Sequence, residues 1–147
     1  MKNVREYRTW YEDARHSFNE HAKGVAGCEI GNAILLEKYK NFFGIEGDFL
    51  IDKSGQNLKE NEVFDVFTVD MSNKKRIQWC SEWKTRFIED VDIASELNRA
   101  KNELLMKRVI DARNKKFELP DYGYTFAMKI TESYIEIWWE KVKIPEP

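Results

Sequence analysis

The chain has 147 residues, 42% of them hydrophobic and 14% aromatic, which is enough for one domain around a real core and too much for a disordered chain. A net charge of -2 excludes a globally basic nucleic-acid binder but leaves room for a local basic patch. Cys28 and Cys80 form no disulfide framework and no zinc spacing, so they read as reduced thiols. The opening MKNVREYRTW lacks the apolar segment of a signal peptide, and no run approaches the roughly 18 apolar residues of a membrane span. A cytoplasmic protein with no membrane partner is therefore expected.

Val4, Tyr7, Tyr11, Ala14 and Phe18 recur at alternating spacings of three and four, which predicts a helix over about 3–23. Gly24 and Gly27 punctuate it. A second helix is predicted over about 29–43, with Ile30, Ala33, Ile34 and Leu36 inward and Gly44 as its stop. GDFLIDKSGQ holds a short strand over 48–51, and the polar QNLKEN reads as loop. Two apolar strands follow at about 62–71 and 75–84, turning at Asn73-Lys74. Strong helix formers fill 91–115, with Ile93, Leu97, Leu104, Met106, Val109 and Ile110 as the apolar side and Pro120 closing the next loop. YTFAMKI and YIEIWWEKVKI, parted by Thr131-Glu132-Ser133, read as a terminal hairpin. The order α, α, β, β, β, α, β, β predicts an α/β fold: a mixed sheet with helices on its faces, the 91–115 helix being a right-handed crossover.

The stretch FDVFTVDMSNKKRIQWCSEWK concentrates charge at one end of its hairpin. With the turn at Asn73-Lys74, facing residues sum to 147: Asp65 faces Glu82, Phe67 faces Cys80 and Val69 faces Gln78. Strand alternation then puts Asp65, Glu82 and Lys84 on one face. Two opposed carboxylates repel and call for a cation. Lys84 is one; Mg²⁺ or Mn²⁺, hard ions that take carboxylate oxygens, would be another. A lysine two residues beyond the second acid is placed to orient an attacking water.

This arrangement resembles the PD-(D/E)xK nuclease superfamily, the restriction-endonuclease-like proteins. The signature is an acid at the start of one strand, a turn, then an acid-x-lysine triplet ending the next strand. Here these are Asp65, MSNKKR and Glu82-Trp83-Lys84. Phe64 stands where the superfamily often has proline. The αβββαβ core of that superfamily fits the element order over residues 28–130, leaving 1–27 as a helical extension and 131–147 as a terminal strand of a single domain. The resemblance implies a Mg²⁺- or Mn²⁺-dependent endo- or exonuclease acting on DNA or RNA. Asp65 and Glu82 would bind metal with the Trp83 carbonyl, Lys84 would position water, and Glu29, or else Glu37, would supply a helix acid. Lys74, Lys75, Arg76 and Arg86 would meet the nucleic acid, with Lys101, Lys107, Arg108, Arg113, Lys115 and Lys116 of the long helix as further cations. A homodimer suits the resemblance, since small nucleases that cut both strands are often dimers.

Plainer readings stand beside these. Asp65 and Lys84 form a cross-strand ion pair while Glu82 is solvated at a sheet edge. Glu29 serves only the helix dipole. His16 and His21 lie five apart, off the spacing of a shared metal, and read as surface or packing residues. Cys80 is an inert apolar thiol between Trp79 and Trp83. Trp138 and Trp139 point to opposite faces, one to the core and one outward. The alternative function is a non-catalytic binding module on the same fold, such as an inhibitor or immunity protein of a phage or mobile element, with a protein partner.

Overall fold

A computed structural model of the protein describes residues 50–52, 63–70 and 72–147, together with Lys23, Gly27 and Ile30, which are all helical. The predicted helices over 3–23 and 29–43 otherwise lie outside the described residues, as do His16, His21, Cys28, Glu29 and Glu37.

A strand of 14 residues, β3 (Asn73–Arg86), organises the rest. Its last eight positions alternate strictly: Trp79, Ser81, Trp83 and Thr85 point to one face, and Cys80, Glu82, Lys84 and Arg86 to the other. Residues 79–83 are buried on both faces, the mark of a central strand. Before it come β1 (Leu50–Asp52) and β2 (Val66–Asp70), and after it β4 (Tyr122–Ile130) and β5 (Ile135–Lys143). The five form one sheet in the order β1-β2-β3-β4-β5. Only β3 and β4 are parallel; the other pairs are antiparallel. The expected mixed sheet, the crossover between parallel strands and the terminal hairpin are all present.

The β2–β3 register keeps the expected pairing where it matters. Val66 faces Ser81, Phe67 faces Cys80 and Thr68 faces Trp79. Nearer the turn the expectation fails: Val69 pairs with Ile77 rather than Gln78, and Asp70 pairs with Asn73 across a two-residue loop. Asp70 causes the tight closure, accepting at Oδ1 from the Ser72 N–H at 2.9 Å and its hydroxyl at 2.6 Å. The surplus residues of β3 are taken up as bulges, so the slip does not reach residues 79–82.

The crossover begins as α1 (Ile93–Glu103), whose N-cap Asp92 accepts from the Ser95 N–H at 3.2 Å. It then widens into a π-helical turn (Leu104–Arg108) before resuming as α2 (Val109–Asn114). Within the turn the Val109 N–H bonds to the Leu104 carbonyl, five residues back. That widening re-phases the helix. Ile93, Ala100, Leu104, Val109 and Ala112 are buried, whereas Met106 and Ile110, expected inward, are 75% and 49% exposed. Leu104, Val109 and Ala112 pack with Phe64, Phe67, Cys80 and Val142 in one core cluster.

The helix ends with Lys116 in the left-handed region at φ 66. The Lys116 N–H bonds to the Arg113 carbonyl at 3.0 Å and the Phe117 N–H to the Ala112 carbonyl at 3.0 Å, a Schellman closure. Gly27 touches the opposite face of the sheet, where a Cβ would run into the Thr85 hydroxyl. Among the described residues no helix is long and apolar enough to cross a membrane.

Candidate functional site

One residue beyond the Val66–Ser81 pair, β2 parts from β3, and Asp65 and Glu82 stand opposite each other there. Asp65 Oδ2 accepts from the Trp83 N–H at 3.0 Å, which fixes the carboxylate over the strand end. In an extended strand the N–H and C=O of one residue turn to the same edge, so the Trp83 carbonyl faces this gap too. Both acids are deeply placed, Asp65 at 5% and Glu82 at 1% exposure. Glu82 is therefore not a solvated edge residue.

The cation beside the pair is not the one the sequence suggests. Lys84 bonds to Glu103 Oε2, on the last turn of α1. Arg108, at the end of the π turn, donates from Nε to Glu82 Oε2 at 2.7 Å. Its Nη2 stands 3.4 Å from Glu103 Oε1 and 3.6 Å from Asp65 Oδ1. Asp65, Glu82, Lys84, Glu103 and Arg108 thus form one cluster between the sheet and the crossover helix. The simple Asp65–Lys84 ion pair is replaced by this network.

Charge explains how the groups titrate. Burial, reinforced by a hydrogen bond to Asp65 and by its charge, pushes Glu82 up to about 9 despite Arg108. Burial also pulls Glu103 upward, but the hydrogen bond and charge of Lys84, with Arg108, outweigh it and leave Glu103 lowered. For Arg108 burial works against the charge, yet Glu82 and Asp65 raise its pKa. The Cys80 thiol is fully buried and strongly raised, by burial first and by Glu82 second, as an inert thiol should be.

Sequence reasoning missed Glu103 and Arg108 as members of the site. Five residues apart on an α-helix, they would lie roughly 140° apart around the axis. The π turn closes that angle and brings both onto the sheet. The sequence carries no signal of it: Leu105 and Val109, or Met106 and Ile110, offer ordinary i,i+4 spacing, and only burial shows the step of five from Leu104 to Val109.

The remaining candidates are not gathered here. Arg86 lies two residues past Lys84 on the same face and pairs with Glu96 at 3.3 Å. Lys75 and Arg76 sit at the other end of β3, about 20 Å or more from Glu82 at the usual rise of a strand. There the Lys75 Nζ donates to the Lys115 carbonyl at 3.2 Å and lies over the Phe117 ring, while the backbone around Arg76 forms a β-bridge with Glu118. Lys74 belongs to the same strand end. Trp138 and Trp139 are 45% and 41% exposed on the edge strand β5, so neither is the core residue expected of one of them. Among the described residues no group of three or more His, Cys, Asp and Glu is arranged to hold a metal ion. Compared with known proteins, the chain matches no family model, no curated protein and no solved structure.

Proposed function

We propose that the protein is a metal-dependent nuclease on a restriction-endonuclease-like core. The observation that carries this reading is the pairing of two buried carboxyls, Asp65 and Glu82, at the point where β2 and β3 separate, with Lys84 on the same face. The β1-β2-β3-helix-β4 order, with β3 and β4 parallel, supports it as the matching part of the αβββαβ core.

The donor set suits a hard divalent cation: two carboxylates and the Trp83 carbonyl, with Glu29 as a further acid outside the described residues. Within the cluster three acids, Asp65, Glu82 and Glu103, face two cations, Lys84 and Arg108. Asp65, Glu82 and the Trp83 carbonyl would hold Mg²⁺ or Mn²⁺, which when bound polarises a phosphate and acidifies a coordinated water. Asp65 is positioned by the Trp83 N–H. Lys84, steadied by Glu103, orients the water that attacks phosphorus. Arg86 grips the adjacent phosphate, and Lys74, Lys75 and Arg76 would meet the backbone of a longer DNA or RNA strand.

The test is cleavage of mixed DNA and RNA substrates with Mg²⁺ or Mn²⁺ by the wild type, Asp65→Ala and Glu82→Ala. Cutting by the wild type alone is the expected result; equal background in all three overturns the reading.

One observation favours a second reading. Arg108 already bonds or pairs with each acid of the cluster, as a structural ion network would. On that reading the fold is a binding module for another protein, with the exposed Trp138 and Trp139 on edge strand β5 as its contact surface. Partner capture lost in Trp138→Ala or Trp139→Ala, with no metal-dependent stabilisation, would decide for it.

A further inference from the structure

Arg108 is held in a way that an ordinary surface arginine is not. Its side chain is only 14% exposed, and its fork reaches Glu82 Oε2 at 2.7 Å, Glu103 Oε1 at 3.4 Å and Asp65 Oδ1 at 3.6 Å. Those oxygens of Asp65 and Glu82 are ones that a divalent cation between the two acids would need. The reach depends on the π turn, which ends at Arg108 and sets it on the same side as Glu103. Glu103 is the more exposed end of the network at 27%, and it divides its oxygens, Oε2 to Lys84 and Oε1 to Arg108.

We propose that Arg108 occupies the cation position of the acid pair: without metal it donates to Glu82 and pairs with Asp65, and it leaves Glu82 for the more exposed Glu103 side when Mg²⁺ or Mn²⁺ binds. The inference rests on the nuclease reading of that pair and adds to it a built-in competitor. Two ionised carboxylates held this close would repel, and the folded chain sets a cation of its own beside them. Its single charge is fixed to a helix, whereas a divalent ion brings two charges and takes several oxygens at once. Glu103 keeps the guanidinium tethered, so displacement is a local swing and needs no rearrangement of the sheet. Metal affinity is then set by competition with Arg108 rather than by the acids alone.

The experiment is calorimetric titration of the full chain with Mn²⁺, comparing wild type, Arg108→Gln and Glu103→Gln, with melting in EDTA measured alongside. Arg108→Gln should bind Mn²⁺ about tenfold more tightly or better, because no charge-assisted hydrogen bond has to be broken. It should also melt lower in EDTA. Glu103→Gln, which loosens the tether, should move affinity by a few-fold.

A second measurement needs no variant: the Arg108 Nε–H resonance of the wild type should shift as Mg²⁺ saturates the protein. Equal Mn²⁺ affinity in wild type and Arg108→Gln overturns the proposal, and so does an Nε–H signal that stays still while metal binds. Binding that Asp65→Ala abolishes and Arg108→Gln leaves unchanged removes this inference alone. No binding by any form, wild type included, removes the metal site and the proposal with it.

Discussion

At one end of β3, Lys75 and Arg76 are exposed, and among the described residues the Lys75 side chain reaches only the Lys115 carbonyl and the Phe117 ring. At the other, Glu82 is 1% exposed and its partners are Asp65, just before β2, and Arg108 of the crossover helix. The strand is continuous and charged at both ends, so local sequence does not separate them. What differs is cover. The first end runs past β2 into a bulged hairpin, while the second lies beneath the π turn. Charge in water is cheap and nearly silent; charge under a helix must be paired, and pairing shapes its chemistry.

The sharpest way to break this comparison is to remove one cation from each end. Arg108→Met leaves three carboxyls around a single lysine and should cost about 3–5 kcal/mol of stability. Arg76→Met, on the solvated end, should stay within about 0.5 kcal/mol. Urea unfolding of both variants measures the contrast, and similar losses would mean that the two ends are not as different as their burial.

The pH dependence tests the covered end by another route. Unfolded, Glu82 ionises near 4.5; folded, it keeps its proton to about 9. Between those values the folded chain binds the extra proton. The stability this contributes is therefore complete below about pH 4.5 and is lost as pH rises toward 9, at up to about 1.4 kcal/mol per unit. Urea midpoints of the wild type should fall from pH 5 to pH 9. Glu82→Gln, which imitates the protonated carboxyl, should flatten that slope.

At the exposed hairpin the same kind of residue acts in the opposite sense. The Ser72 hydroxyl and N–H hold the Asp70 carboxyl below its usual value. Asp70→Ala should loosen the turn slightly without altering the slope between pH 5 and 9, which urea unfolding at the two pH values would check. One substitution should give a small gain. Lys116 occupies a left-handed position at the helix end. Lys116→Gly should raise stability by about 1 kcal/mol, seen as a higher melting temperature.

The sequence made much of this legible. The two apolar runs flanking a polar turn predicted both strands, and the summed register placed Asp65 against Glu82. The same rule failed at Val69 because turn closure depends on how Asp70 folds back on Ser72, and a one-residue slip there is absorbed by a bulge. Helix-forming residues over 91–115 announced the crossover but not its phase.

Strand period, turn chemistry and charge position are properties of neighbouring residues, and the chain by itself determined them. The identity of the counterion was decided only in the folded molecule. Leu104 and Val109 must both enter the core, the widened turn lets them do so, and that rotation carries Arg108 onto the acids. A π turn has no local signature, because packing against the sheet, not propensity, selects it.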